Sequence, residues 1–330
     1  MSYKNENMKM IELHENGLDI QFRIRENGVV ELADFSSQEV KKAVMEPKED
    51  ICYPAVEIHR SGTGSLNMHA YKNNINQSSV DFVYENHELK AQAGGKELEI
   101  VMISPEKLKA VYHMRLFDGV PAVQTWTEII NEGSEDQGLT YVSSFMYQGI
   151  SRGGEKPYYK KTDIYVPFNS WCCEAQWQKY DAETLNLNGM VVDGFNHQGY
   201  GLNRYCYSGK GTWSTCEYLP MGIAEDRETG ETYIFQIESS GQWLAEYGSA
   251  QGGNLYLALS GATEQEHGWY KNLKPGESFT TVPAGAAVVK GGLNPAAAAL
   301  TRYRRKVRRP NTDDEKLNVV FNDYMNCLMG

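Results

Sequence analysis

No stretch of the chain approaches the ~18 consecutive apolar residues of a helical membrane span. The first residues, Met1-Ser2-Tyr3-Lys4-Asn5-Glu6-Asn7, are polar and offer no apolar core of a secretion signal, so a cytoplasmic location is expected. Excess positive charge is also missing. The formal net charge is −11, which argues against nucleic acid and anionic membrane as partners, since both need clustered cations. No C-x-x-C pair occurs among the six cysteines, Cys52, Cys172, Cys173, Cys206, Cys216 and Cys327, and no Cys/His spacing suggests zinc. They are read as reduced thiols, the adjacent Cys172 and Cys173 included. The histidines are scattered, and His59 and His69 lack a third ligand nearby. No phosphate-cradling glycine loop and no nucleophile elbow is present, so neither a metal nor a cofactor is expected.

What is present is alternation. The length would suggest about two domains of ~150 residues, but an all-β chain runs longer as one unit. Leu18, Ile20, Phe22 and Ile24 alternate with polar residues, Asn27-Gly28 offers a turn, and Val30 and Leu32 follow. Leu108, Ala110, Tyr112, Met114 and Leu116 lead to Asp118-Gly119, and Ala122, Gln124, Trp126, Glu128 and Ile130 run back. Tyr233, Phe235 and Ile237 precede a Ser-Ser-Gly turn, after which Trp243, Ala245 and Tyr247 return. Leu255, Leu257 and Leu259 give a further strand, and Lys274-Pro275-Gly276-Glu277 a further turn. Many short strands with no helices between them predict an antiparallel β-sandwich from about Met10 to Val289.

From about Gly149 to Cys216 the rhythm fails, and glycine, asparagine and aromatics dominate. Long irregular segments inside compact domains are usually functional or disordered, and disorder is poor in aromatics. Some of these rings are therefore expected to reach solvent, while others fill the space between sheets. Glu174, Glu217 and Glu246 lie near tryptophans in sequence, which suits either a sugar contact or a satisfied core carboxylate. One substantial helix is predicted, with Asn294 as N-cap, Pro295 in the first turn and Leu300, Tyr303 and Val307 on one face. Arg302, Arg304, Arg305, Lys306, Arg308 and Arg309 crowd its C-terminal half, where cations favour the helix dipole. Pro310 to Glu315 reads as a polar linker, and Leu317 to Phe321 as a short apolar strand of the kind buried in a parallel sheet.

Three segments in this order resemble the N-terminal domain of bacterial α-galactosidases of glycoside hydrolase family 36. They are Trp126-Thr127-Glu128-Ile129-Ile130-Asn131-Glu132-Gly133; Asn169 to Trp177 with Trp213 to Pro220 and Ser240 to Trp243; and Tyr303 to Pro310 running into Val320-Phe321-Asn322-Asp323-Tyr324-Met325-Asn326. The resemblance implies a β-supersandwich over 1–293, a linker helix and polar linker over 294–316, and the first strand of an incomplete (β/α)8 barrel over 317–330. It implies retaining hydrolysis of terminal α-galactosides such as melibiose and raffinose by two barrel aspartates. Both would lie beyond Gly330, so this chain is expected to hold no catalytic residue. The family's Asn-x-Trp-Glu at the end of the first barrel strand reads here Asn322-Asp323-Tyr324-Met325, which leaves the sugar open, N-acetylgalactosamine-type glycosides included. Asn322, Asp323 and Tyr324, with Trp171 and Trp213, are the candidate substrate-binding residues. The implied partners are α-galactoside sugars, the chain's own barrel and further copies of itself in a homo-oligomer. An independent carbohydrate-binding module or a purely structural domain is the alternative.

Overall fold

The structure is a computed structural model describing residues 8–47, 51–64, 71–188, 203–250 and 253–323. In chain order the first strands are β1 Lys9–Glu15, β2 Leu18–Ile24, β3 Val30–Ser37, β4 Ile58–Arg60, β5 Val83–Gln92 and β6 Gly95–Ile103. There follow β7 Leu108–Phe117, β8 Val120–Asn131, β9 Gln137–Ser151, β10 Thr162–Ser170, β11 Cys173–Asp181 and β12 Arg204–Gly209. The last are β13 Met221–Asp226, β14 Glu231–Ile237, β15 Trp243–Ala250, β16 Asn254–Ser260, β17 Lys271–Leu273, β18 Ser278–Thr280 and β19 Ala284–Lys290. Three four-residue helices interrupt them: α1 Gln77–Val80, α2 Tyr158–Lys161 and α3 Glu264–His267. The helix α4 Leu293–Val307 and the short α5 Thr312–Lys316 close the described chain.

The strands form three sheets, and every pairing among the described residues is antiparallel. A ten-stranded sheet runs β11-β10-β13-β14-β19-β8-β7-β6-β5, with β18 also on β8. A six-stranded sheet runs β12-β15-β16-β9-β17, with β4 on β9, and β1-β2-β3 form a third. Their inner faces share one core. Phe35 of β3 meets Phe145 and Tyr147 of β9 edge-on at 5.6 and 6.1 Å, and Tyr233 of β14 at 6.2 Å. Such aromatic contacts add to simple area burial. This is the expected all-β supersandwich.

Three local expectations change. Gly28 takes the positive φ, at 86°, but the connection is the five-residue loop 25–29, closed by Arg25 N to Val29 O at 2.9 Å, not a two-residue turn. Ser239-Ser240-Gly241 joins no hairpin: β14 pairs with β13 and β19, whereas β15 pairs with β12 and β16 in the other sheet. Alternation fixes which side of a strand faces the core and says nothing about which strand lies beside it. The segment after Gly149 also contains β10 and β11, an antiparallel hairpin.

Helix α4 begins at Leu293 with Gly292 as N-cap, two residues before the expected cap at Asn294. Gly292 sits at φ 80° and ψ −156°, a conformation essentially confined to glycine, and Thr232 Oγ1 accepts from its N–H at 3.1 Å. Pro295 still falls in the first turn. Ala296, Ala299, Leu300 and Tyr303 bury the helix against Phe117, Val120, Ala122, Ile223, Ile234 and Ala287 on the outer face of the ten-stranded sheet. Within β14, Ile234 therefore faces α4 while Tyr233 and Phe235 face the main core.

Beyond α4 the linker is partly helical. Asn311 Oδ1 accepts from Asp313 N at 3.0 Å and caps α5, and Leu317 ends it in the left-handed region at φ 50°. Leu317–Phe321, expected as a strand lacking its partners, takes no strand conformation: among the described residues, 318–323 pair with no strand. A strand needs a neighbouring edge to satisfy its backbone, and none of the described strands pairs with it. Leu317, Val319, Val320 and Phe321 are 83, 98, 88 and 77% exposed. Among the described residues no helix is long and apolar enough to cross a membrane.

Candidate carbohydrate-contact surface

The two most exposed tryptophans, Trp171 and Trp213, lie on the β10–β11 hairpin and on the segment before β13, which meet. Strand β11 is an edge of its sheet and is solvated along most of its length, so its sequence lacks the one-sided alternation that marks a half-buried strand. Its turn is Trp171-Cys172, with Cys172 at φ 61° and its N–H donating to Glu174 Oε1 at 3.1 Å. One side chain anchors both segments. Asn169 donates from Nδ2 to Thr215 O at 2.5 Å and accepts from Ala175 N at Oδ1 at 2.9 Å, while its backbone N donates to Glu217 O at 2.8 Å. Phe168 and Tyr218 then form an antiparallel bridge, their rings 5.2 Å apart.

Trp171 lies two residues after this anchor and Trp213 two residues before Thr215, and they are 90 and 71% exposed. Trp177 is half-buried against the α4 cluster. The expectation that this stretch mixes solvent-facing and core rings therefore holds for the described residues, since Tyr158 and Tyr207 are buried. Phe195 and Tyr200 lie outside the described residues. Trp243, the last tryptophan of the second quoted segment, is fully buried and donates from Nε1 to Ser214 O at 2.6 Å, pinning the chain just after Trp213.

Beside the anchor a groove of about 570 Å³ opens between Ser214, Thr215, Gln236, Ser240, Arg304 and Arg308. Glu238 is part of its wall, and its carboxylate is fully engaged. Oε1 accepts from Tyr303 Oη at 2.7 Å and Arg304 Nη1 at 2.9 Å, and Oε2 accepts from Gln124 Nε2 at 2.9 Å. The groove thus presents hydroxyls, an amide and guanidinium donors together with the apolar Leu219, Pro220, Met221, Ile237 and Val307, a mixed lining. It contains no nucleophile–base pair.

Of the three carboxylates, Glu174 and Glu217 are exposed. Glu246 is a core group, fully buried and receiving Asn73 N at 2.7 Å, Asn73 Nδ2 at 2.8 Å, Arg204 Nη1 at 2.6 Å and Tyr256 Oη at 2.5 Å. A buried carboxylate with that many donors is satisfied in place. His59 is buried too, 3.7 Å from Glu57 and 4.7 Å from the Tyr141 ring, and His69 lies outside the described residues. Cys52, Cys172, Cys173, Cys206 and Cys216 are free thiols, and burial pushes Cys206 up to about 11. Asn322 and Asp323 are exposed on the extended segment after α5, and Tyr324 lies outside the described residues. The groove is the feature that sequence reasoning missed. Its walls come from residues 214–221, 236–240 and 304–309, with Glu238 tying the second to the third, and no local spacing marks such a meeting.

No family model matches the chain, and no curated protein matches it in sequence. Solved structures do match. The α-galactosidase AgaA of Geobacillus stearothermophilus, of glycoside hydrolase family GH36, is 14% identical with a TM-score of 0.65 over 88% of this chain and 42% of its own. AgaB of the same organism is 15% identical, with a TM-score of 0.67 over 94% and 44%. The α-galactosidase of Lactobacillus brevis is 14% identical, with a TM-score of 0.64 over 92% and 42%. AgaA variants have been solved with raffinose and with stachyose. This chain has the all-β fold of the N-terminal domain of GH36 α-galactosidases and spans less than half the length of the enzymes it resembles.

Proposed function

We propose that the chain is the non-catalytic β-supersandwich of an α-galactosidase that hydrolyses terminal α-D-galactosides with retention. In this reading it supports a catalytic barrel, contributes subunit contacts and lends Trp171 and Trp213 to the rim of the sugar site. Asn322, Asp323 and Tyr324 stand at the end of the first barrel strand. The observation that carries the reading is the shared fold over about nine-tenths of this chain, against 42% of AgaA. The exposed run Leu317–Phe321 supports it, because a largely apolar segment that pairs with no strand among the described residues suits a strand completed by a neighbouring parallel sheet. The 330-residue chain by itself is then expected to give no turnover of an aryl α-galactoside above a mock purification, since in this reading general acid and nucleophile both belong to the barrel. The protein extended through the coding region downstream of Gly330 is expected to turn it over. Downstream sequence lacking a barrel with paired aspartates would overturn the reading.

A second reading, an independent carbohydrate-binding module, is favoured by the exposure of Trp171 and Trp213, the latter next to the groove residue Ser214. Calorimetry of the 330-residue chain with raffinose separates the two. Binding by the isolated chain that Trp171→Ala and Trp213→Ala each weaken supports the module, whereas binding that appears only with the barrel supports the rim.

A further inference from the structure

We propose that Glu97, Glu99 and His113 form a surface site for a divalent first-row transition cation on the outer face of the β6–β7 pair. Leu98 and Ile100 of β6, and Tyr112 and Met114 of β7, face the core. Glu97, Glu99 and His113 alternate with them and so project from the opposite face, with Glu99 directly across from His113 in the register. Nδ1 of His113 lies 3.0 Å from Oε1 of Glu97 and 3.9 Å from Oε1 of Glu99. Ligand atoms at about 2.0–2.1 Å from one tetrahedral ion stand roughly 3.3 Å apart. The observed separations bracket that value, so one ion can reach all three ligands after small side-chain shifts.

Neighbouring groups aim the ligands. The imidazole stacks on Trp126 at 4.7 Å with an interplanar angle of 8°, which fixes its plane. Lys90 donates from Nζ to Oε2 of Glu99 at 2.5 Å, and Gln92 from Nε2 to Oε2 of Glu97 at 3.4 Å. Each carboxylate is thus held by one oxygen and turns the other toward Nδ1, as outer-sphere partners do around metal ligands. The side chains of His113, Glu97 and Glu99 are 13, 13 and 22% exposed, so water can complete the coordination from the open side. Imidazole with carboxylate favours zinc-like cations over calcium or magnesium. Two carboxylates, one offset by Lys90, suit a divalent charge. No local sequence spacing announces the site, because its ligands come from two strands joined only by register.

The test is titration of the purified 330-residue chain with Zn2+ against a chromophoric chelator. One equivalent is expected to bind, to raise the thermal midpoint, and to weaken by at least about tenfold in both His113→Asn and Glu97→Gln. His14→Asn, which removes the exposed histidine paired with Asp19, is expected to leave that equivalent unchanged. Circular dichroism checks folding, and Glu99→Gln keeps the stacked ring should His113→Asn not fold. Absence of a stoichiometric equivalent, or one that survives both His113→Asn and Glu97→Gln, would overturn the proposal and leave a histidine–glutamate hydrogen bond.

Discussion

Lys72 is buried, with its ammonium donating to Ser249 O at 2.8 Å, and burial lowers its pKa from 10.5 to about 8 against the opposing field of Glu246. Between those values the unfolded chain holds the proton and the folded chain does not, so Lys72 makes stability rise with pH across that window. Below about 8 both states are protonated and the full cost of burying the charge is present. Lys72→Met removes this dependence. Urea unfolding at pH about 7.5 and about 9.5 should therefore show the wild type gaining on the variant as pH rises, and parallel profiles would contradict it. The tryptophans divide by the same criterion of burial. Trp243→Ala should cost about 3–5 kcal/mol, because it empties a core position and releases the bond to Ser214. Trp171→Ala, at a 90% exposed site, should stay within about 0.5 kcal/mol of wild type. If Trp171→Ala proved as costly, Trp171 would have to pack in solution against something this chain does not show.

At the scale of elements, docking of α4 depends on a missing side chain. A Cβ on Gly285 of β19 would stand 2.4 Å from Cε1 of Tyr303, so the helix lies close only because that strand carries no methyl there. Gly285→Ala should destabilise by about 1–3 kcal/mol through overpacking. Adding Tyr303→Leu should recover part of the loss in a double-mutant cycle. Additive losses would mean that the ring does not press on Gly285. This helix was legible in sequence because its buried positions, Ala296, Leu300 and Tyr303, follow one face. Its start was misplaced by two residues because Asn294 looks like a cap, while the cap is set by Gly292 and the backbone conformation only glycine adopts. Strands β2, β7 and β8 were legible for the same kind of reason, having one wet and one dry face. Strand β11 was hidden by being solvated on both faces, and the partners of β14 and β15 by being buried on both. Of the candidate site, the exposure of Trp171 and Trp213 was legible from composition, whereas Asn169 as the anchor that ties the β10–β11 turn to Thr215 and Glu217 was not. Glu246 shows the limit of adjacency: its tryptophan neighbour in sequence is irrelevant beside the four donors that fold onto it.

The molecule as a whole is held by a buried ionic network where its three sheets meet. Arg152, directly after β9, donates from Nη2 to Oδ1 of Asp34 on β3 at 2.6 Å and to Ala43 O at 2.6 Å, and from Nη1 to Tyr147 Oη and Gly149 O. Lys42, in the loop after β3, donates to Oε2 of Glu231 on β14 at 2.8 Å, and the same carboxylate accepts from Tyr233 Oη at 2.8 Å. Ser37 N donates to its other oxygen at 2.9 Å. On the far side, Ser151 of β9 donates to Asp226 of β13 at 3.1 Å, and Lys161 meets that carboxylate at 2.9 Å. The small sheet, the six-stranded sheet and the ten-stranded sheet are thus stitched by charges taken out of water. Burial, opposed by Arg152, keeps the Asp34 carboxyl above its usual range, and burial pulls Lys42 down against Glu231. Desolvation of this kind makes such a network a poor source of net stability while it is intact and a large liability once one partner is removed. Arg152→Met should therefore cost about 3–5 kcal/mol by stranding Asp34. Arg152→Met combined with Asp34→Asn should cost less than Arg152→Met alone, since no uncompensated charge remains. Both variants should unfold in urea with the wild-type slope if the sheets separate together. A lower slope with an early transition confined to β1–β3 would show instead that the small sheet comes away first and that the charges join it to a body already stable without it.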